Sequence, residues 1–180
     1  PIYVDSPLSV STTKVFQKYA NSFDNETKLF VQRYHNPALY PPNVTYIDNL
    51  DQSKSLNNIH TQMIIISASG MATAGRILHH LKNNIQNPRN SVFLVSWQSP
   101  DSLGRRLQNG DKQVRIFGDP YDVRSEITMI HGFSAHADQK TLLDYALSTK
   151  DTLKKLILIH GEQDAVTPFE ALLTENGITD

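Results

Sequence analysis

The 180 residues are 39% hydrophobic and 19% charged, with 17 basic against 18 acidic side chains, enough apolar material for a packed core and too balanced a composition for a largely disordered chain. No run of about 18 apolar residues and no charged leader before an apolar stretch is present, which argues against a membrane-spanning helix and a visible secretory signal. Zero cysteines remove disulfides, thiolate zinc sites and cysteine nucleophiles, leave histidine and carboxylate as metal ligands, and fit a reducing, cytoplasmic compartment.

In chain order, residues 2–5 read as a strand, and Ser6-Pro7 then opens a helix with Leu8, Thr12, Val15, Phe16, Tyr19 and Phe23 on one face. A strand is expected at 44–48. Three apolar runs, Met63-Ile64-Ile65-Ile66, Val92-Phe93-Leu94-Val95 and Leu156-Ile157-Leu158-Ile159, do not alternate and so predict strands buried on both faces. The pattern at 73–85 predicts a helix with Ile77, Leu78, Leu81 and Ile85 inward and Arg76, His79, His80 and Lys82 outward. Further helices are expected at 101–109, 138–148 and 165–176, and further strands at 113–116 and 126–131. Strands alternating with helices imply an α/β fold with a parallel sheet. Gly118-Asp119-Pro120-Tyr121 is the weakest joint along the chain. The start at Pro1 rather than Met reads as that of an excised piece.

Ligands of open α/β sheets gather beyond the carboxyl ends of the strands, so the loops that follow the apolar runs are the places for chemistry. Ser67-Ala68-Ser69-Gly70-Met71-Ala72-Thr73-Ala74-Gly75-Arg76 is built of small residues ahead of a helix, where backbone N–H groups and the helix dipole favour an anion. The same glycines would also serve plain strand-to-helix packing. His131-Gly132-Phe133-Ser134-Ala135-His136-Ala137-Asp138 leads into a helix that Asp138 can cap, with the Ser134 hydroxyl near the His136 imidazole. Ile159-His160-Gly161-Glu162 places a histidine at a strand end, with Glu162 able to orient it. His35, His60, His79 and His80 lack such context and read as structural or surface residues. Seven basic residues between Arg76 and Arg115 face only Asp101 and Asp111, a local excess suited to a polyphosphate partner or to an ordinary solvated helix face.

The motifs Tyr3-Val4-Asp5-Ser6-Pro7-Leu8, Ser69-Gly70-Met71 with Thr73-Ala74-Gly75-Arg76, Leu103-Gly104-Arg105, Gly132-Phe133-Ser134-Ala135-His136-Ala137-Asp138 and His160-Gly161-Glu162, in this order, resemble the β-CASP subgroup of metallo-β-lactamase-fold nucleases that process RNA. The resemblance implies a Rossmann-like parallel-sheet β-CASP domain with helices on both faces over residues 1 to about 116, and a returning part of the lactamase αβ/βα fold over 117–180. It implies that His160 ligates one zinc of a two-metal centre, with Glu162 behind it. His136, with Asp138 in the same motif, would contact the scissile phosphate and protonate the leaving oxygen. Ser69, Gly70, Met71 and Ser134 would hold phosphate oxygens, and Arg76, Arg105 and Arg106 would contact the RNA backbone. Single-stranded RNA, the missing N-terminal lactamase portion and a homodimer are the partners it allows, with no membrane. The family's His-x-His-x-Asp-His run does not occur in these residues, so the piece alone is expected to bind zinc weakly or not at all and to cleave nothing. Two other classes compete. One is a non-catalytic RNA-binding scaffold. The other is an α/β-hydrolase-like esterase with Asp164 as its acid, which lacks both a Gly-x-Ser-x-Gly elbow and a histidine after His160.

Overall fold

The computed structural model describes residues 1–34, 41–133 and 136–179; His35 lies outside them. The chain divides into two compact units, residues 1–133 and 134–180. Among the described residues there are seven α-helices and seven strands, and the class is the parallel α/β one that the sequence implies.

In the first unit, β1 (Ile2–Asp5) is the centre of a three-stranded parallel sheet. It is flanked by β2 (Val44–Tyr46) and β3 (Ile64–Ser67) in the order β2-β1-β3. Ile2 stands level with Val44 and Ile64, and Asp5 stands level with Ser67. The turn out of β1 is fixed by Ser6, whose Oγ accepts from the Ser9 amide at 3.4 Å. Pro7 at the first helical position, preset in φ and lacking an N–H, then opens α1 (Pro7–Lys18). Two helices that the sequence reading did not anticipate also start on side-chain caps. In α2 (Asn25–Tyr34), the Thr27 amide donates to Asp24 Oδ1 at 2.7 Å. In α3 (Leu50–Ser55), the Gln52 amide donates to Asn49 Oδ1 at 2.9 Å.

After β3 the chain runs through the small-residue loop into α4 (Arg76–Asn84), then β4 (Ser91–Leu94), α5 (Leu103–Gln108), β5 (Gln113–Ile116), β6 (Asp119–Asp122) and β7 (Glu126–Met129). β4 and β7 pair in parallel, Leu94 beside Met129, and β5 and β6 form an antiparallel hairpin. The core lies among these elements: Leu81, Ile85, Leu94, Leu107, Val114 and Ile116 are buried together, with Ile77, Leu78, Ile127 and Met129 packed on them. Buried Ser125 ties the end of α4 to the strand that follows, its Oγ 3.0–3.1 Å from the carbonyls of Asn84, Ile85 and Asn87. The second unit holds α6 (Gln139–Ser148) and α7 (Gln163–Glu175), with Ala146 and Leu173 buried. Lys150 Nζ donates to the Asn176 carbonyl at 2.8 Å beyond the end of α7.

Several expectations are corrected. Leu156–Ile159 is not a strand, and Ile157 and Ile159 are exposed. β3 is not buried on both faces: Ile64 and Ile66 remain 58% and 54% exposed, and Phe93 of β4 is exposed too. An unbroken apolar run shows that its residues prefer burial, but not that a neighbour covers each side. Of the residues read onto one face of α1, Leu8, Val15, Phe16 and Tyr19 are exposed, and the buried residue of the helix is Val10. Gly118-Asp119-Pro120-Tyr121 forms the turn and the start of the second strand of the β5–β6 hairpin.

The largest departure concerns α4. Arg76 and His80, read as outward, turn in to Asp5, whose carboxylate is 0% exposed. Arg76 Nη1 donates to Asp5 Oδ1. Oδ2 lies 2.6 Å from His80 Nε2 and accepts from Ser53 Oγ of α3 at 2.6 Å. Positions 76 and 80 are one helical turn apart and share a face, so one carboxylate joins the end of β1 to α3 and the start of α4. Burial alone pushes the Asp5 carboxyl up, but the hydrogen bonds from Ser53, Arg76 and His80 outweigh it and hold the group below its ordinary value. A depressed folded value gives stability that is complete above the unfolded carboxylate range and lost as pH falls through the folded value. Asp5→Asn strips a buried cation of its partner and is expected to cost about 3–5 kcal/mol in urea unfolding, together with part of the acid-induced loss of stability. A cost under about 1 kcal/mol would show that the network is not holding these elements.

Candidate functional site

The loop Ser67–Gly75 leaves β3 directly above Asp5, where Ser67 Oγ donates to the Asp5 carbonyl at 2.9 Å. It is a turn closed on itself. The Ser69 amide donates to the Ala74 carbonyl at 3.2 Å, the Ala72 amide to the Ser69 carbonyl at 3.1 Å, and the Thr73 amide to Ser69 Oγ at 3.2 Å. Gly75 ends it at φ +85°, a left-handed conformation that disfavours any side chain, and no side chain caps α4 there. The loop thus brings small residues to the start of α4, where the helix dipole is positive.

A second loop meets the first. Gln98, 1% exposed, donates from Nε2 to the Gly70 carbonyl at 2.9 Å and to the Ser96 carbonyl at 2.8 Å. The Gly104 amide donates to the Met71 carbonyl at 3.0 Å. α5 is capped by Ser102, whose Oγ accepts from the Arg105 amide at 3.0 Å, and the Arg105 guanidinium returns to the Gln98 carbonyl, 2.7 Å from Nε. Ser69, Gly70, Met71 and Arg105, singled out separately in the sequence, therefore come together. Gln98, which joins them, was missed, because a lone glutamine in a loop carries no spacing signal. Its neighbour Gly104 carries the trace: a Cβ there would lie 1.6 Å from Gln98 Oε1 and 3.0 Å from the Met71 carbonyl oxygen.

The basic residues are more engaged than the charge count suggested. Arg76 is corrected from a backbone-contacting residue to the buried partner of Asp5. Arg106 pairs with Asp111 at 2.8 Å and reaches the Gln113 carbonyl at 3.2 Å, remaining partly exposed. Arg115 donates to the Gly118 carbonyl at 2.7 Å.

In the second unit both singled-out histidines precede helix starts. His136 is exposed, two residues ahead of Asp138. Asp138 caps α6 by accepting from the Thr141 amide at 2.8 Å, and these hydrogen bonds from Thr141 hold its carboxyl below the ordinary value. His160 is exposed rather than set at the end of a buried strand, and it adopts φ +70°, a left-handed conformation costly for a side chain of this size. Glu162 occupies the N-cap position of α7, and Asp164, the acid of the hydrolase alternative, lies in its first turn. Ser134 lies outside the described residues. Among the described residues no three His, Asp or Glu side chains converge to hold a metal ion. A zinc centre needs about three protein ligands, and the described residues do not fit one.

Two family models match. Residues 1–107 match the model described as the Beta-Casp domain, and residues 120–179 match the Zn-dependent metallo-hydrolase RNA specificity domain. The chain is 31% identical over 177 residues to ribonuclease TTHA0252 of Thermus thermophilus, covering 98% of this chain and 40% of that protein. It is 32% identical over 163 residues to an RNase J-like protein of Methanocaldococcus jannaschii, 91% of this chain and 36% of that protein. It is 30% identical over 169 residues to the transcription termination factor FttA of Thermococcus kodakarensis, 90% of this chain and 26% of that protein. The chain thus spans between about a quarter and two fifths of the length of these relatives.

The two-loop junction generates a test in stability. Gly104→Ala forces a methyl group onto the buried Gln98 amide and is expected to cost about 1–3 kcal/mol. Gly132→Ala, where a Cβ meets nothing within 4 Å, should stay within about 0.5 kcal/mol of the parent in the same urea titration. Equal effects would show that the junction tolerates displacement.

Proposed function

Because the chain belongs to the Beta-Casp domain family, whose model covers residues 1–107, we propose that it is part of a zinc-dependent ribonuclease that hydrolyses phosphodiester bonds of single-stranded RNA. The observation that carries this reading is the succession along one chain of the Beta-Casp match and the Zn-dependent RNA specificity match. Residues 1 to about 116 are then most of the β-CASP domain, and 117–180 a returning lactamase segment. The names of the relatives, a ribonuclease and an RNase J-like protein among them, support the activity. A cytoplasmic location is proposed with it, from the absence of cysteine.

In this reading the Ser69–Met71 turn and Ser134 receive phosphate oxygens, and Arg105 and Arg106 add positive charge along the backbone. The exposed His136 imidazole gives a proton to the departing oxygen, and Asp138 fixes the helix start beside it. His160 is the single zinc ligand that this chain contributes, Glu162 lies beside it, and the other ligands belong to the portion of the protein outside these 180 residues. A homodimer is compatible with this arrangement.

The test uses the whole protein. His136→Ala is expected to lower RNA cleavage by about 10²–10⁴-fold with zinc content unchanged. His160→Ala should lower zinc content measured by elemental analysis. Neutralising Arg105 and Arg106 together should flatten the salt dependence of RNA affinity by up to about two units of slope. Unchanged cleavage in both histidine variants would overturn the roles, and a whole protein that binds RNA without zinc or cleavage would replace the ribonuclease by the scaffold.

A further inference from the structure

The Gly70–Gln98 junction has one side chain turned out of it. Ser96 and Gln98 both point into the contact with Gly70: the space a Gly70 Cβ would need is filled by Ser96 Oγ, 2.5 Å away, and Gln98 Nε2 holds the Gly70 carbonyl. Trp97 stands between them and is 56% exposed, although it is the sole tryptophan of the chain. A large, partly exposed aromatic ring beside a candidate phosphate loop offers an apolar face to a ligand. The ring is also held. The Arg105 guanidinium lies over it, 5.6 Å from the ring centroid, and is anchored by its hydrogen bonds to the Gln98 carbonyl. The platform is thereby preorganised, since the cation that covers the indole is tied to the residue next to it.

We propose that Trp97 is the stacking platform for one nucleobase of the RNA strand, standing beside the Ser69–Met71 loop that receives phosphate. The inference rests on the ribonuclease reading and adds to it the group that holds a base rather than the backbone. An indole face stacks any base, purines more strongly than pyrimidines, so the platform positions the strand without reading its sequence. Arg105 reinforces it, because a cation over one face of an indole is itself attracted to the ring and leaves the opposite face for the base. A protein partner docking on the same ring is the competing occupant. The Arg105 cation over the ring and the neighbouring, partly exposed Arg106 favour a polyanion.

The test compares two single-stranded probes of equal charge on the whole protein, with chelator present so that neither is cleaved: a hexameric oligoadenylate and its abasic ribose-phosphate counterpart. The parent protein is expected to bind the oligoadenylate more tightly. Trp97→Ala should lose about 5- to 150-fold of affinity for it while its affinity for the abasic strand stays unchanged, and Trp97→Phe should retain most of the preference. Equal affinity of the parent for both probes overturns the platform and leaves the ribonuclease reading standing. No binding of either probe overturns both. Should the substitutions disturb folding, seen as loss of abasic binding as well, irradiation of the parent protein with a 5-iodouridine hexamer decides the matter. A covalent adduct on the peptide containing Trp97 supports stacking there, and adducts confined to other peptides overturn it.

Discussion

One buried carboxylate organises the first unit. Asp5 ends the central strand β1 and is shut off from water. A bare charge there would be costly by several kcal/mol, so the surrounding elements must bring donors to it. α3 supplies Ser53, and α4 supplies Arg76 and His80 from consecutive turns. The small-residue loop between β3 and α4 has both of its ends fixed to this point. Ser67 holds the Asp5 carbonyl at one end, and Arg76 holds the Asp5 carboxylate at the other. The shape of the candidate phosphate loop is therefore a consequence of where α4 must stand to neutralise a strand-end charge.

How much of this could be read from the sequence depended on whether the signal was local. Ser6-Pro7 and Asp138 are caps that satisfy helix amides within a few residues, and α1 and α6 start where those residues predict, while α5 falls within the helix expected at 101–109. The parallel pairing followed from apolar runs alternating with helical patterns. Asp5 itself was legible only as part of a motif, because its partners lie 48, 71 and 75 positions away. The polar face of α4 looked like a solvated one for that reason. A helix carrying apolar residues on one side and an Arg/His pair one turn apart on the other is the trace that was there to find. The helices α2 and α3 begin on Asp24 and Asn49, but without strong apolar periodicity behind them those caps did not stand out. The last apolar run, Leu156–Ile159, reports a preference for burial whose satisfaction depends on neighbours that its own sequence does not name.

The functional residues separate into two groups with different chemistry. The first unit gathers small residues, a helix start, a buried glutamine and an arginine over an indole, the set to which the proposed reading gives the RNA strand. The second unit presents two exposed imidazoles ahead of helices, one in a left-handed conformation. Holding phosphate and transferring a proton are distinct tasks, and the proposed reading divides them between the stretches that the two family models match. No three His, Asp or Glu side chains converge among the described residues of either set.

If the Asp5 charge fixes the loop, releasing that charge must loosen the loop before it loosens anything else. Amide hydrogen exchange, compared between the whole protein and its Asp5→Asn variant, measures this directly. The largest rise in exchange at residues 68–80, exceeding that of the β4–β7 pair, is the expected pattern. Exchange that rises uniformly over the unit, or does not change in the loop, would contradict it.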